Sequence, residues 1–465
     1  MASIAHWRRY VNTALLGNPV VSQVFLPERI EEYCRQSNHR WRDSFWSPAL
    51  TLLTFILQVS SGEKTLRAGV AALLSQLRLR GEEDLPSVDP TAYCQARKRL
   101  PAEVLDQVST ELVHQSSTLV GPDHRWRGLA VKTVDGSTVS MPDTPSLQKQ
   151  FPQPGRQKPG CGFPVARLVA LFCWATGAVI GLAIGNLRIT ENNLLRQKFA
   201  EWFKPGDLLM GDRHFCSYTD IARLLAQGVD CLFRLHQRRP ADFRKGKRLG
   251  RYDQLVTWTR PDQWLPSSGM TREEFEQLPE TLTVRMIRVQ RTPKGFRSRT
   301  ITLVTTLLDP IAYPASEIRA LYRDRWTAEL NLRSLKTYLG MEILRGQSPD
   351  VVRKEITMHV MVYNLIRLLM WHAARQHEAD LHRLSFTGTL HRLREMIAYF
   401  IFRPLQGQID SDRLLSQLLQ WIADDRLPHR PDRFEPRRKK RRAKVYSLLS
   451  KPRRWYHLHG DQHAR

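Results

Sequence analysis

Residues 129–136 read LAVKTVDG, an apolar and β-branched run that ends in Asp135 and Gly136. Such a run, bounded by turn residues, predicts a β-strand. Residues 208–212, LLMGD, repeat the pattern and place Asp212 at the end of a second strand. These two strands, each ending in an aspartate, are the starting point for predicting the fold.

Further elements surround the two strands. The sequence predicts a β-hairpin at 164–185, a helix at about 190–203, a helix at 219–227 and a strand at 230–236. The resulting order is strand, strand, strand, helix, strand, helix, strand. This order predicts a mixed α/β sheet that begins with an antiparallel meander.

The hairpin segment has a second interpretation, as a membrane span. Residues 168–185 carry no charge and reach the lower length limit for a spanning helix. Thr176 and Gly177 divide the segment into two apolar runs of strand length, which favours a buried hairpin. The N-terminus lacks the apolar stretch of a signal peptide. Six cysteines without Cys-x-x-Cys spacing indicate neither a zinc site nor a disulfide framework, so we expect a cytoplasmic protein without a membrane partner.

The charge balance indicates the kind of partner. The 465 residues include 71 lysines and arginines against 45 acids, a net charge of +26. An excess of this size favours nucleic acid as partner over an anionic membrane surface. Hydrophobic residues at 42% and charged residues at 25% are ordinary globular values, which excludes a disordered or fibrous protein.

The chain divides into five predicted parts. Residues 1–120 are predicted to form a helical DNA-binding domain, in which the basic helix at 91–100 is either a base-reading element or a solvated helical face. The remaining parts begin with the first part of the α/β domain at 121–237 and a mainly β insertion at 238–311. In this insertion, alternating runs at 281–290 and 299–308 around a turn at 293–295 predict a hairpin. The second part of the α/β domain at 312–375 includes a helix predicted at about 316–339, and the C-terminal region at 376–465 is predicted to be helical and then a basic tail, with its basic run at 437–454.

The two aspartates are candidate metal ligands. A single aspartate after a strand is more often a turn residue or a helix cap than a catalytic group. Asp135 and Asp212 lie in one predicted sheet, however, in a protein expected to contact phosphodiesters. Three carboxylates on adjacent elements can hold two divalent cations ~3.5–4 Å apart, so the pair raises the question of a third carboxylate.

The third candidate lies in residues 321–336, LYRDRWTAELNLRSLK. Treated as one continuous helix, this stretch brings Tyr322, Arg325, Glu329 and Lys336 onto one narrow face beside an apolar stripe. A carboxylate among cations is the arrangement expected where a metal-binding group meets a polyanion. The alternative is a solvated helix stabilised by an i,i+4 ion pair between Arg325 and Glu329.

The same stretch carries a resemblance to a known family. Its spacing Tyr-x2-Arg-x3-Glu-x6-Lys resembles the Tyr-Arg-Glu-Lys signature of bacterial insertion-sequence transposases that have an Asp-Asp-Glu triad. Residues 134–137, VDGS, and 209–215, LMGDRHF, resemble the family motifs around the two aspartates. Residues 363–367, YNLIR, resemble the helix that follows the signature. The resemblance extends from about residue 90 to the tail.

The resemblance implies a fold and a site. The catalytic domain would be RNase H-like, with Asp135, Asp212 and Glu329 as catalytic residues that hold two Mg²⁺ or Mn²⁺ ions. The residues implied to contact DNA phosphates are Tyr322, Arg325, Lys336 and Arg333. In the family, a flipped base stacks on an aromatic side chain; Trp258 and Trp264 are candidates for this role, with ordinary core packing as the alternative.

The resemblance also implies a reaction and partners. The family binds the terminal inverted repeats of its own element in double-stranded DNA, cleaves the ends and joins the freed 3′-hydroxyl to target DNA. A homodimer acting on paired ends is expected. Two rival functions remain open: a metal-dependent nuclease without strand transfer, and a catalytically silent DNA-binding protein derived from a transposase.

Overall fold

The computed structural model describes residues 24–42, 44–79, 82–119, 121–291, 299–401, 411–428 and 449–459. The described residues form two compact units. The first contains the residues up to Gly121 together with Arg333–Pro428, and the second contains Pro122–Leu332 and the described C-terminal residues.

Helices and strands are numbered here along the described chain. The helices are α1 (Pro27–Gln36), α2 (Pro48–Ser60), α3 (Leu66–Arg78), α4 (Thr91–Arg99), α5 (Ala102–Leu119), α6 (Pro145–Gln150), α7 (Glu191–Arg196), α8 (Phe199–Trp202), α9 (Tyr218–Ala226), α10 (Arg272–Glu276), α11 (Ala315–Arg323), α12 (Trp326–Arg333), α13 (Pro349–Gln376), α14 (Phe386–Ile401), α15 (Ser411–Asp424) and α16 (Arg453–His459). The strands are β1 (Ala130–Ser140), β2 (Val165–Cys173), β3 (Val179–Asn186), β4 (Asp207–Gly211), β5 (Asp230–Arg234), β6 (Lys247–Gly250), β7 (Asp253–Thr259), β8 (Thr281–Arg291) and β9 (Arg299–Thr305).

The nine strands of the described residues form one sheet in the order β3-β2-β1-β4-β5-β9-β8-β7-β6. β1, β2 and β3 are an antiparallel meander, and β4 and β5 run parallel to β1. The predicted mixed α/β sheet and its meander are therefore confirmed. The segment weighed as a membrane span is the β2–β3 hairpin. Among the described helices, none has both the length and the apolar composition that crossing a bilayer requires.

The strands between residues 238 and 311 extend this sheet. β8 and β9 pair antiparallel, as the alternating pattern predicted, and β9 then pairs antiparallel with β5. β7 and β6 follow, and β6 is the outermost strand of this half. The segment predicted as an insertion therefore continues the main sheet, because β9 completes the hydrogen bonding of β5.

Apolar cores cover both faces of the sheet. On one face, Val134 and Phe233 pack with Leu194 of α7 and Ile221 of α9. On the other face, Val131 and Met210 pack with Ile318, Leu321 and Tyr322 of α11. Side chains alternate between the two faces of a strand. Thr133 and Asp135, two and four residues after Val131, therefore lie on the same face of the sheet as Val131, the face that α11 covers.

The structure corrects the prediction of one continuous helix over residues 316–339. α11 ends at Arg323 and α12 begins at Trp326. Between them the chain tightens, because the amide of Arg325 bonds to the carbonyl of Tyr322, three residues back, at 3.3 Å. The hydroxyl and the amide of Thr327 both donate to the Asp324 carbonyl, at 2.7 and 2.8 Å. Beyond α12, Ser334–Tyr338 is a π-helical turn.

The first unit is helical around α13, which is buried along most of its 28 residues and contacts α2, α5, α14 and α15. In α4, the basic helix predicted to be either a base-reading element or a solvated face, Arg97 is 7% exposed. Its guanidinium and the hydroxyl of Tyr93 both donate to Oε1 of Gln58, at 3.3 and 3.0 Å. Arg97 therefore stabilises the core of this unit, while Lys98 and Arg99 are exposed.

Parts of two predictions lie outside the described residues. The turn predicted at 293–295 is one, and most of the basic tail at 437–454 is the other, with 449–454 described. Residues 1–23 of the predicted N-terminal domain also lie outside them.

Candidate active site

The two aspartates lie at matching positions on neighbouring parallel strands. In the β1–β4 pair, Thr133 lies opposite Met210. Asp135 and Asp212 each follow two residues later, beyond the last paired residues of β1 and β4. The prediction that the first strand ends at Asp135 is wrong, because β1 continues to Ser140 in its pairing with β2. The two aspartates nevertheless lie at the level of the carboxyl end of β4, and in open α/β sheets ligands bind at the carboxyl ends of parallel strands.

Asp135 is electrostatically coupled to the other two predicted carboxylates. Burial is the largest cause that raises its pKa, to about 6. The hydrogen bond from the Gly136 amide and the charge of Arg325 lower this pKa, whereas the charges of Glu329 and Asp212 raise it further. The structure thus brings Asp135, Asp212, Glu329 and Arg325 close enough for each charge to act on Asp135.

Asp212 is held by the turn that follows β4. Its Oδ1 accepts a hydrogen bond from the amide of His214 at 2.7 Å and caps the 3-10 turn Arg213–Phe215. The carboxylate therefore has a fixed orientation with one oxygen committed to the backbone. Asp212 therefore caps a turn, the role expected of a single aspartate after a strand. Its charge nevertheless also acts on Asp135.

Glu329 forms an ion pair with Arg325. Nη2 of Arg325 lies 2.7 Å from Oε1 of Glu329, and the two side chains are 16% and 36% exposed. Among the residues that the structure describes, no cluster of three or more His, Cys, Asp or Glu side chains is arranged to hold a metal ion. The donor set, three carboxylates, suits a hard divalent cation. To serve as a ligand with the two aspartates, Glu329 must exchange the guanidinium for the ion.

Tyr322 is buried behind the second aspartate. Its side chain is 7% exposed, and its hydroxyl donates to the carbonyl of Gly211, the residue before Asp212, at 3.3 Å. Burial raises the pKa of the Tyr322 hydroxyl to about 12, so the hydroxyl stays protonated and remains a donor. The family resemblance implied that Tyr322 contacts a phosphate, but its hydroxyl is directed at the carbonyl of Gly211, the residue before Asp212.

The other two predicted DNA contacts belong to the first compact unit. Arg333 is the last residue of α12, and its guanidinium lies 5.6 Å from the ring centroid of Tyr338. Lys336 lies in the π-helical turn that follows. Arg325, in the second unit, is the predicted DNA contact whose charge lowers the pKa of Asp135.

Two features of the second unit escaped the sequence analysis. The first is that the carboxyl group of Glu191 packs against Gly136, so that a Cβ on residue 136 would lie 2.2 Å from the Glu191 carboxyl carbon and would displace that side chain. Arg285 of β8 is fully buried and donates to both carboxylate oxygens of Asp253. It also donates to the carbonyl of Tyr313, just before α11, at 2.7 Å. The sequence pattern of β8 does not reveal that Arg285 is buried and paired, because Asp253 and Tyr313 are distant from it in sequence.

The two tryptophans considered for base stacking have protein partners. Trp258 is 8% exposed, and the guanidinium of Arg239 lies 4.1 Å from its ring centroid. The indole nitrogen of Trp264 donates to the carbonyl of Met270 at 3.0 Å. For Trp258 this burial favours the core-packing alternative.

The raised pKa of Asp135 predicts a pH-dependent stability in metal-free buffer. The pKa is about 6 in the folded chain and roughly 3.9 in an unfolded one. The stability that the protonated carboxyl contributes is fully present below about pH 4 and is lost as the pH rises through about 6. The side chain of the Asp135→Asn variant stays neutral at every pH. We therefore expect its free energy of unfolding to exceed that of the wild type by up to ~3 kcal/mol at pH 7 and to equal it at pH 4.

Urea denaturation across this pH range, with a chelator present, measures the difference. Asp262→Asn, at an exposed aspartate of the same unit, is the control and should show no such dependence. A difference between Asp135→Asn and wild type that stays constant from pH 4 to 7 would contradict the burial of an ionisable Asp135.

Comparison with known proteins assigns the chain to a class. The family described as "Transposase DDE domain" matches residues 126–365, slightly more than half of the chain. The chain is 26% identical over 376 residues to the transposase InsG for insertion sequence element IS4 of Escherichia coli (strain K12), covering 79% of this chain and 80% of that protein. The chain belongs to the DDE transposase family.

One solved structure is similar at a lower level. The piggyBac transposase in a synaptic complex with hairpin DNA aligns over 92% of this chain and 87% of that one, with 10% identity and a TM-score of 0.45. This score is too low to assign a shared fold. Family membership by itself identifies the protein as a DNA transposase, an enzyme that cleaves DNA and transfers strands.

Proposed function

We propose that this chain is the transposase of an insertion sequence and that Asp135, Asp212 and Glu329 are its catalytic residues. The observation that carries the proposal is the position of the two aspartates two residues beyond the last pair of parallel strands β1 and β4, with the charge of Glu329 acting on Asp135. Each reaction step would be an in-line attack on phosphorus, by water or by a 3′-hydroxyl. One carboxylate site can serve both.

The strand order supports an RNase H-like catalytic domain. An antiparallel meander, β1 to β3, is followed by β4 and β5 parallel to β1, with helices on both faces. Asp135 then lies on the first strand and Asp212 directly after the fourth. Glu329 lies on α12, which follows the strands that extend the sheet.

The DDE transposase family uses divalent metal ions. We propose that Asp135, Asp212 and Glu329 would hold two Mg²⁺ or Mn²⁺ ions. Bound there, the ions would activate the attacking oxygen and stabilise the charge on the leaving one. The chain's own contribution is to orient the carboxylates. The Gly136 and His214 amides fix the two aspartates, and Arg325 neutralises Glu329 until it becomes a ligand.

Arg325, Arg333 and Lys336 are proposed contacts to DNA phosphates. Arginine suits this role because its guanidinium donates two parallel hydrogen bonds to a phosphate. The guanidinium that Glu329 would release on binding metal is then available to a strand. For Tyr322, burial and the bond to Gly211 favour a positioning role behind Asp212 over a phosphate contact.

A Tyr322→Phe variant tests that positioning role. Phenylalanine keeps the packing and removes only the bond to Gly211, so we expect cleavage to slow by about 10–100-fold through misplacement of Asp212. Affinity for DNA and its salt dependence should stay unchanged. Single-turnover cleavage and a salt series of binding measurements give both quantities.

Tyr218→Phe is the matched control for this variant. Tyr218 is 2% exposed in the same unit, and its hydroxyl likewise donates to a backbone carbonyl, that of Pro279, at 2.6 Å. It packs in the core on the other face of the sheet from Tyr322 and should leave the cleavage rate unchanged. Loss of DNA affinity together with a shallower salt slope in Tyr322→Phe would instead assign Tyr322 to a phosphate.

The function itself is tested on DNA that carries the ends of the element. Inverted repeats flanking the reading frame supply the substrate, which is incubated with purified protein and Mg²⁺. We expect nicking at the repeat ends and joined products that need paired ends, consistent with a homodimer. Cleavage without joined products would favour the nuclease. Specific binding without cleavage across metals would favour the silent DNA-binding protein.

A further inference from the structure

A strongly basic segment lies at the free edge of the sheet, away from the carboxylates in sequence. We call residues 238–251, which lead into β6 and include it, the basic ribbon. It contains seven lysines and arginines against one acid, Asp242. Its cations are Arg238, Arg239, Arg244, Lys245, Lys247, Arg248 and Arg251. All of these except Arg239 are exposed.

The ribbon is held against the next strand. The side-chain amide of Gln254, which is 2% exposed, donates to the carbonyl of Asp242 at 2.6 Å. Gly246 has a φ of +109°, and a Cβ there would lie 2.2 Å from the carbonyl oxygen of Leu255. Residues 245–247 therefore run too close to β7 for any other side chain at 246. Lys245 and Lys247 are presented from a fixed backbone.

Aromatic rings orient two arginines at this surface. The guanidinium of Arg239 lies 4.1 Å from the ring centroid of Trp258. The guanidinium of Arg288, on β8, lies 4.3 Å from the ring centroid of Phe243. Stacking occupies the flat face of a guanidinium and leaves its N–H edge available as donor. Ordering the side chains in advance also reduces the entropy lost when a partner binds.

The one acid of the basic ribbon, Asp242, does not neutralise the positive charge of the exposed lysines and of Arg248. Both oxygens of Asp242 accept hydrogen bonds from the guanidinium of Arg244, at 3.0 and 3.2 Å. This pair is neutral as a unit. The exposed charges of Lys245, Lys247 and Arg248 have no ion-pair partner among the described residues.

We propose that the basic ribbon binds the phosphate backbone of duplex DNA. This rests on the proposed transposase function and adds a surface to it, beyond the signature residues. The ribbon offers spaced cations from an ordered edge, which matches a regular row of phosphates. A second copy of the chain is the less suitable occupant, because lysines on an edge strand oppose strand pairing and two ribbons repel.

The test compares two triple variants of the full chain. One carries Lys245→Ala, Lys247→Ala and Arg248→Ala. The control carries Lys149→Ala, Arg156→Ala and Lys158→Ala, which removes the same charge from exposed residues of the same unit. Binding to a duplex with the element end, and to one of unrelated sequence, is measured by fluorescence anisotropy over a salt series. Analytical ultracentrifugation follows the oligomeric state.

We expect the ribbon variant to lower the slope of log K against log salt by roughly two to three, since each phosphate contact contributes about 0.9. The decrease should be equal for both duplexes, because phosphate contacts carry no sequence information. The control should keep the wild-type slope.

Three results overturn the proposal. An unchanged slope in the ribbon variant does so, and self-association of that variant would then identify the lysines as edge protection. An equal decrease in both triple variants would assign the effect to net charge. If the wild-type chain binds no duplex, both the proposed DNA binding by the basic ribbon and the transposase function are overturned. If the wild-type chain binds and cleaves while the ribbon variant keeps the wild-type slope, only the proposed DNA binding by the basic ribbon is overturned.

Discussion

The Asp135→Asn substitution is expected to reduce metal-dependent cleavage of the element end by about a hundred- to a thousandfold, the scale of removing one charge-stabilising group from an active site. Asparagine keeps the size of the side chain and its acceptor for the Gly136 amide, but it lacks the charge that a divalent cation requires. Asp212→Asn should have the same effect. Single-turnover cleavage of an end-labelled duplex measures the loss.

Binding of the uncut end should persist in both variants, because phosphate contacts supply most of the affinity for DNA. Asp262→Asn, at an exposed aspartate of the same unit, is the control and should cleave at the wild-type rate. A chain with all three of Asp135, Asp212 and Glu329 neutralised that still cleaves normally would place the active site elsewhere.

The Glu329→Gln variant separates the two interpretations of the Arg325–Glu329 pair. If the pair only supports a helix, its loss costs about 0.3–0.5 kcal/mol of stability and leaves cleavage intact. If Glu329 is a catalytic carboxylate, cleavage falls as far as in the aspartate variants. Measuring stability and cleavage on the same preparation decides between these outcomes.

The Arg285→Met substitution is expected to lower the free energy of unfolding by about 3–5 kcal/mol, because it leaves Asp253 buried without its partner. Arg285 is fully buried and donates to Asp253 from two nitrogens, at 2.8 and 2.5 Å. It also holds the Tyr313 carbonyl, so its loss should loosen the segment before α11. Urea denaturation of the variant and the wild type gives the difference.

Two further variants make this test specific. Arg272→Met breaks an exposed i,i+4 pair with Glu276, in which the side chains are 72% and 59% exposed, and should cost less than about 1 kcal/mol. Combining Asp253→Leu with Arg285→Met removes both charges and should recover much of the lost stability. Equal effects of Arg285→Met and Arg272→Met would contradict a structural role for the buried pair.

Local patterns predicted much of the second unit. Alternating and apolar runs predicted the β2–β3 and β8–β9 hairpins, since pairing between neighbouring strands needs only a turn and a matching pattern. The pattern placed Asp212 correctly after β4, but it ended the first strand at Asp135, whereas β1 continues to Ser140 because it pairs with β2 beyond that point. The i,i+4 spacing of Arg325 and Glu329 predicted their ion pair, although they were first placed on an unbroken helix.

Contacts between distant segments escaped those patterns. The tight turn at Asp324 and Arg325 follows from backbone bonds that a helical wheel assumes to be regular. Nothing in the spacing around Tyr322 shows that its hydroxyl reaches Gly211, 111 residues earlier. The attachment of β9 to β5 likewise depends on an edge that exists only once the sheet has formed.

The sequence by itself determined the mixed sheet, the strand that carries Asp135, the strand that precedes Asp212 and, through its resemblance, the transposase family. These depend on interactions between residues near one another in the chain and on residue types at fixed spacing. Only the tertiary structure decided that Tyr322 lies behind Asp212, that Arg285 is buried against Asp253 and that the basic ribbon is held against β7. Each of these is set by partners distant in sequence, because burial and charge pairing depend on which surfaces the folded chain brings together.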